Sequence, residues 1–189
     1  PATEESRFDN GWWELQWESK AEADAAWAEW TQDEEAIAFL AEHESVMVCD
    51  GEARGAWDFT FHRDVESFGP MPEDGSFFTE FFPCKYNDGK TSADLMESIA
   101  LYNEWLDGLE VTGAYAYGIY AGDGSDELAD FWWGNFHESS ESAAVGNKNW
   151  MESGGKARAS LEATAACDAP ELYNSGVIYD PARPAFAKS

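Results

Sequence analysis

The amino-acid sequence predicts an α+β protein: one complete ferredoxin-like β-α-β-β-α-β unit over residues 76–182, a partial strand-helix-strand repeat of it over 1–68, and a tail at 183–189. Three observations predict this. Aromatic runs of strand type alternate with segments whose apolar residues recur at steps of three and four. Clusters of Gly, Asp, Asn and Ser separate these runs. Two distant stretches also resemble each other: Trp12-Trp13-Glu14-Leu15-Gln16-Trp17-Glu18-Ser19 and Trp132-Trp133-Gly134-Asn135-Phe136-His137-Glu138-Ser139. The same shift aligns Ala23 with Ala143 and Trp30 with Trp150, and a short gap brings Cys49-Asp50 onto Cys167-Asp168.

In the first copy, residues 11–18 read as a strand and 21–43 as a helix with Ala26, Trp30, Ile37 and Leu40 on one stripe. Residues 56–64 read as the closing strand. The β-α-β that should precede them is missing, and the chain opens at Pro1 without a Met. It therefore reads as a processed product, the tail of a longer two-unit protein. A rival parse makes 11–64 the first β-α-β-β of a different α+β sheet.

The second copy reads in full. Residues 76–86 (SFFTEFFPCKY) form an aromatic strand, and Asn87-Asp88-Gly89-Lys90 a turn. Thr91 or Ser92 caps a helix whose stripe is Leu95, Ile99, Tyr102, Leu106 and Leu109, punctuated by Gly108 and Gly113. Residues 114–121 form the second strand and 129–137, with the Trp pair, the third. Ser139 or Ser140 caps the second helix, in which Trp150, Ala157, Leu161 and Ala165 face the core, and 172–179 is the fourth strand. Right-handed crossovers turn this order into an antiparallel sheet with both helices on one face.

Composition bounds the function. The 189 residues hold 38 Asp+Glu against 11 Lys+Arg, a net charge of −27, with 10 Trp and 15% aromatic residues. Such a surface repels phosphate backbones, so no nucleic acid is expected as partner. No stretch is apolar over the length of a membrane helix, so no membrane insertion is expected either. Aromatic richness argues against disorder. The acids are scattered, which favours work in salty water over a dedicated cation site.

Cys84, Gly89-Lys90-Thr91, Asp130-Phe131-Trp132 and Cys167-Asp168 together resemble uncharacterised acidic, Trp-rich proteins of marine bacteria, over roughly residues 76–180. That family carries no assigned activity. Its fold is similar to the dimeric α+β-barrel group, in which two ferredoxin-like sheets face each other around a pocket. The group spans haem enzymes, cofactor-free monooxygenases, isomerases and proteins of unknown role, so the resemblance implies a fold and not a reaction. Gly89-Lys90-Thr91 lacks the upstream Gly of a phosphate-binding loop, since Cys84 stands there, and reads as a turn and cap.

In the expected topology the end of the first strand lies beside the start of the fourth, which puts Cys84 next to Cys167 and suits a disulfide. A disulfide implies a periplasmic or secreted protein. Cys49 has no expected partner.

No catalytic residue, metal site or cofactor is assigned. The ligand-binding candidates are Trp133, Asn135, His137, Tyr115, Tyr117 and Trp150. Alternation puts Trp133, Asn135 and His137 on one strand face, where His137 and Asn135 would orient a ligand under Trp133 if that face lined an inter-sheet cavity. The competing reading, which the sequence favours, ends the strand with His137 at the surface. His43 suits a helix C-terminus, and His62 sits on the strand 56–64. Asp123, Ser125, Asp126 and Glu127 lack EF-hand spacing and read as a solvated turn rather than a Ca²⁺ site. The leading expectation is a non-catalytic exported protein that takes a small apolar or aromatic ligand or self-associates. The alternatives are a cofactor-free or haem-dependent monooxygenase-like enzyme and a structural surface-assembly protein.

Overall fold

The structure, a computed structural model, describes residues 11–46, 48, 55–110, 113–122, 124, 126 and 128–180. Among these it is mixed α+β, with five helices and a six-stranded antiparallel open sheet. In chain order these are α1 (Lys20–Trp30), α2 (Glu34–His43), β1 (Asp58–Phe61), β2 (Ser76–Tyr86), α3 (Ser92–Asp107) and β3 (Tyr115–Ala121). There follow β4 (Phe131–His137), α4 (Ser140–Ser153), α5 (Gly155–Thr164), β5 (Ala165–Cys167) and β6 (Glu171–Gly176). The chain divides into two compact units, Trp12–Ala56 with α1 and α2, and another holding the remaining elements.

The sheet runs β1-β3-β4-β2-β5, with β6 also on β2. Strand β2 holds the middle because it is long enough, at 11 residues, to pair β4 along one edge and both β5 and β6 along the other. Alternation then sorts the side chains. Cys84, Tyr117, Ile119, Phe131 and Trp133 turn to one face and form the core with Leu95, Ile99, Tyr102 and Leu106 of α3 and Ala157 of α5. Burying each of the larger apolar side chains contributes about 1.5–3 kcal/mol.

Local chemistry explains the boundaries. The Asp94 carboxylate accepts the Thr91 N–H at 3.0 Å and starts α3, and Lys90 pairs with Asp94 at 2.8 Å. Gly89-Lys90-Thr91 is thus a turn and helix cap. Ser139 caps α4, its hydroxyl accepting the Ser142 N–H at 3.2 Å.

Four elements differ from expectation. Residues 11–18 contain no strand, although their Trp-rich pattern predicts one: an aromatic run becomes a strand only where a partner edge accepts its backbone. The single helix expected over 21–43 is two, because the Asp33 carboxylate takes the N–H groups of Glu35 (2.8 Å) and Ala36 (3.3 Å) and starts α2 afresh. The second helix of the complete unit is also broken, into α4 and α5. The Trp150 ring lies where a Cβ on Gly154 would stand, so the chain bends there and α5 is free to pack on α3. The fourth strand is shared between β5 and β6, separated by Pro170, which has no N–H for a ladder.

The strand expected to close the first copy is β1, and it pairs with β3 of the main sheet (Phe59↔Tyr120, Phe61↔Gly118). Gly118 permits this: the Phe59 ring occupies the place a Cβ would take.

A disulfide joins Cys84 and Cys167, whose Cα atoms are 4.0 Å apart as directly paired residues of β2 and β5. Cys49 lies outside the described residues. No helix among them is long and apolar enough to cross a membrane.

Candidate functional site

The sequence candidates converge under the helices. On β4, Trp133, Asn135 and His137 project to the helix-covered face. The register sets Glu80 of β2 opposite Asn135 on one side and Tyr117 of β3 opposite it on the other, with Tyr115 opposite His137. Helices α3 and α4 close over them and bring Tyr102 and Asn147 into reach.

The hydrogen bonds of this group have a fixed sense. Trp133 can only donate, and its Nε1–H goes to Asn135 Oδ1 at 2.8 Å. That sets the amide: Oδ1 also accepts from Tyr115 Oη at 2.9 Å, and Nδ2 donates to Glu80 Oε2 at 3.2 Å. Because the Tyr115 proton is spent on Asn135, the 2.7 Å contact between Tyr102 and Tyr115 must be donated by Tyr102. A one-way chain results, Tyr102 to Tyr115 to Asn135 to Glu80. Two further groups point at the same carboxylate, Asn147 Nδ2 at 2.8 Å and His137 Nε2 at 3.2 Å. The two amide groups can only donate to Glu80, and an ionised Glu80 takes its third hydrogen bond from a proton on His137 Nε2.

The electrostatics agree. Burial alone pushes the Glu80 carboxyl up, since Glu80 is 3% exposed; the hydrogen bonds from His137, Asn147 and Asn135 and the His137 charge outweigh it and hold the group below the ordinary glutamate range. Burial raises the phenols of Tyr102 and Tyr115 well above the usual tyrosine value, and that of Tyr117 to about 12.

His137 is 5% exposed, which corrects the expectation that it ends its strand at the surface. The physical reason is its partner: Glu80 lies one strand away and 57 positions back in sequence, and a cross-strand acceptor lets an imidazole be buried. Its ring lies 4.9 Å from that of Tyr115.

Tyr117 and Trp150 are placed differently. The Tyr117 ring stacks on Trp133 at 4.9 Å, and its hydroxyl leaves the chain to donate to Asn103 Oδ1 at 2.8 Å. Trp150 packs on the rings of Tyr102 (5.4 Å) and Trp105 (5.0 Å) and makes no hydrogen bond to the chain. Sequence reasoning missed Glu80, Tyr102 and Asn147. Glu80 had one available signal, a lone acid inside the aromatic run SFFTEFFPCKY. Asn147 had none.

No buried side-chain nitrogen or oxygen among the described residues lacks a partner. The arrangement thus ties α3 and α4 to the sheet through polar groups that serve one another. It does not fit a haem: the His137 Nε2 is turned to Glu80, and Tyr115 covers the ring. An open depression of about 510 Å³ lies beyond it, where Phe77, Phe78, Ser139, Asn174 and Ile178 meet.

The remaining candidates are local structure. His43 ends α2, its Nδ1–H donating to Phe39 O at 2.9 Å. His62 gives its carbonyl to Asn103 at 3.0 Å, and partial burial lowers its imidazole below the usual value. Asp126 accepts from Trp132 Nε1 at 2.9 Å and from the Leu128 N–H at 2.7 Å; Asp123, Ser125 and Glu127 lie outside the described residues. No group of three His, Cys, Asp or Glu among the described residues is placed to hold a metal ion. Comparison of the chain with protein-family models, with curated proteins and with solved structures gave no match.

Proposed function

We propose that the protein is a non-catalytic, exported binding protein that takes an apolar or aromatic surface, first of all that of a second copy, on the sheet face turned away from α3, α4 and α5. The observation that carries this is the aromatic floor of that face. Phe59, Phe61, Phe77, Phe81, Tyr120 and Phe136 touch ring to ring, with centroids 4.4 Å apart for Phe59 and Tyr120 and 6.2 Å for Phe81 and Phe136. Phe61 is 43% exposed at the β1 edge, and Phe59, Phe77, Phe81 and Phe136 are half-buried. Exposed apolar patches of this kind mark interaction surfaces.

Several features support the finer reading. The order β3-β4-β2 followed by β5 and β6, with helical crossovers, supports reading residues 76–182 as a ferredoxin-like unit. It favours the dimeric α+β-barrel arrangement, in which two such faces meet. The Cys84–Cys167 bond favours an oxidising compartment. A charge of −27 opposes self-association in dilute buffer and is screened in salt, which fits a protein of saline water and the resemblance to marine proteins. An enzymatic reading needs a substrate opening at His137, and the enclosure of that ring favours binding instead.

Light scattering after size exclusion, over a dilution series at low and high salt, tests the reading. The expected result is a dimer that dissociates on dilution and strengthens with salt, and a monomeric Phe61→Asp variant. A wild-type chain that stays monomeric throughout, or an unaffected variant, would overturn it.

A further inference from the structure

The two halves of the Cys84–Cys167 bond are unequal. Cys84 is 0% exposed on β2, with Phe131 of β4 directly opposite it on one side and Cys167 of β5 on the other. It belongs to the core that also holds Leu95, Phe131 and Ala157. Cys167 ends β5, a strand of three residues that stands last in the order of the sheet, and it is exposed.

That inequality gives thiol–disulfide exchange a direction. An external thiolate must reach the sulfur it attacks and expel the other one as a thiolate. Cys84 is closed to it, so attack falls on Cys167 Sγ. A new S–S bond forms between Cys167 and the external sulfur, the Cys84–Cys167 bond breaks, and its electron pair leaves on Cys84 Sγ, which then takes up a proton. The leaving thiolate forms in an apolar core, where charge is costly. The sheet then opposes the external thiol a second time. The Asn87 N–H donates to Thr164 O at 2.9 Å and the Asp168 N–H to Pro83 O at 3.0 Å, so β5 stays on β2 when the bond is open and Cys84 stays opposite Cys167. Cys84 attacks the mixed disulfide on Cys167 as a fixed neighbour rather than a solute, and the bond closes again with the external thiol expelled.

We propose that Cys167 is a thiol-exchange site: of the bonded pair it alone takes up an external thiol, carrying it as a mixed disulfide, and Cys84 is the buried resolving sulfur that restores the bond. The ligand class is a small thiol, or its disulfide, that is neutral or cationic, since a chain of net charge −27 repels an anionic one. The bond lies on the helix-covered side of the sheet, and the site does not depend on the self-association proposed for the other face.

The test uses the full chain with Cys49→Ser, so that only this pair reacts. Cysteamine is added to the folded, oxidised protein, the reaction is quenched in acid, and peptide mass mapping locates the cysteamine. It should sit on Cys167 and not on Cys84, and removing free cysteamine before the quench should restore the bond. In concentrated urea both cysteines should carry it. Adding Cys84→Ala, which leaves the Cys167 thiol, should give a chain that takes cysteamine from cystamine at least about 100-fold faster than one with Cys167→Ala, which leaves the Cys84 thiol; urea should abolish the difference. If Cys167→Ala fails to fold, the mapping on the intact bond decides alone. Dithiodiglycolate, an anionic counterpart of cystamine, should react more slowly than cystamine at low salt, and the gap should narrow as salt rises. Cysteamine on Cys84 of the folded chain, equal rates for the two variants with native far-UV spectra, or a mixed disulfide that does not close again would overturn the proposal. A gap between the two disulfides that salt leaves unchanged would overturn the choice of ligand charge.

Discussion

Replacing Cys84 and Cys167 together with alanine opens the covalent loop across a sequence separation of 83. In the chain-entropy model, closing a loop of that length removes about 15 cal/mol/K from the unfolded chain, about 4.5 kcal/mol at 25 °C. Cys84 is fully buried in the core, so truncating it costs further packing, whereas Cys167 is exposed and its loss adds little. The folded state itself should survive, because β5 and β6 keep their backbone pairing to β2 without the bond. The assay is urea unfolding followed by far-UV circular dichroism, on the oxidised chain, the reduced chain and the double alanine variant, all at one salt concentration. With a slope near 2 kcal/mol/M the midpoint should fall by about 2 M. On heating, the same loss should lower Tm by about 9–18 °C. The reduced chain should move almost as far as the variant, since both lack the same loop. A loss below about 1 kcal/mol in both would refute the reasoning, for it would mean that the unfolded chain is not appreciably loosened by cutting the bond.

The buried network makes two further predictions and the β1–β3 edge a third. Glu80→Gln puts an amide N–H against groups that all donate, so stability at pH 7 should drop by about 2–4 kcal/mol. The folded-state pKa of Glu80 lies below its unfolded value of 4.5, so its contribution is full above that pH and is lost as pH falls through the lower folded value. The gap between wild type and Glu80→Gln, measured by urea melts across pH 3–7, should therefore close in acid; a gap that stays constant would contradict an ionised Glu80. Tyr102→Phe removes only the first donor of the chain and should cost about 1 kcal/mol, but Tyr115→Phe interrupts it in the middle and should cost more, about 1–3 kcal/mol, by chemical denaturation. Equal losses would remove the argument for a one-way chain. Gly118→Val drives a side chain into the Phe59 ring and should release β1 from β3, seen as faster amide exchange at residues 58–61 with β4 still protected.

What the sequence made legible follows from the range of each interaction. Strand β2, the Thr91 cap, the α3 stripe and the alternation of β4 are set by residues within a turn or two of one another, and they were readable to within a residue or two at their ends. The Cys84–Cys167 pairing was readable too, because a right-handed crossover rule carries local elements into a long-range register. Partners chosen only in the folded state were not. Nothing near His137 in sequence announces Glu80, so a buried, hydrogen-bonded imidazole looked like a surface residue. Nothing near Trp12 and Trp13 announces whether an edge accepts them, so their likeness to Trp132 and Trp133 predicted a strand that is absent. The second pair, unlike the first, stands between β2 and β3, both of which offer backbone partners.

The charge distribution sets Glu80 apart from the other acids. In a chain of 38 Asp and Glu, the carboxylate of Glu80 is one that the fold takes from water, and it is met there by three side chains on two elements, Asn135 and His137 of β4 and Asn147 of α4. Burial of an unpaired carboxylate would be prohibitive, so the sheet register and the seating of α4 must both be correct before Glu80 can enter. That makes the network a check on the assembly of the β2–β4–α4 layer, and it frees the exposed acids from any duty in the core. The acids of residues 12–46 instead stay in water, where burial exacts nothing from them.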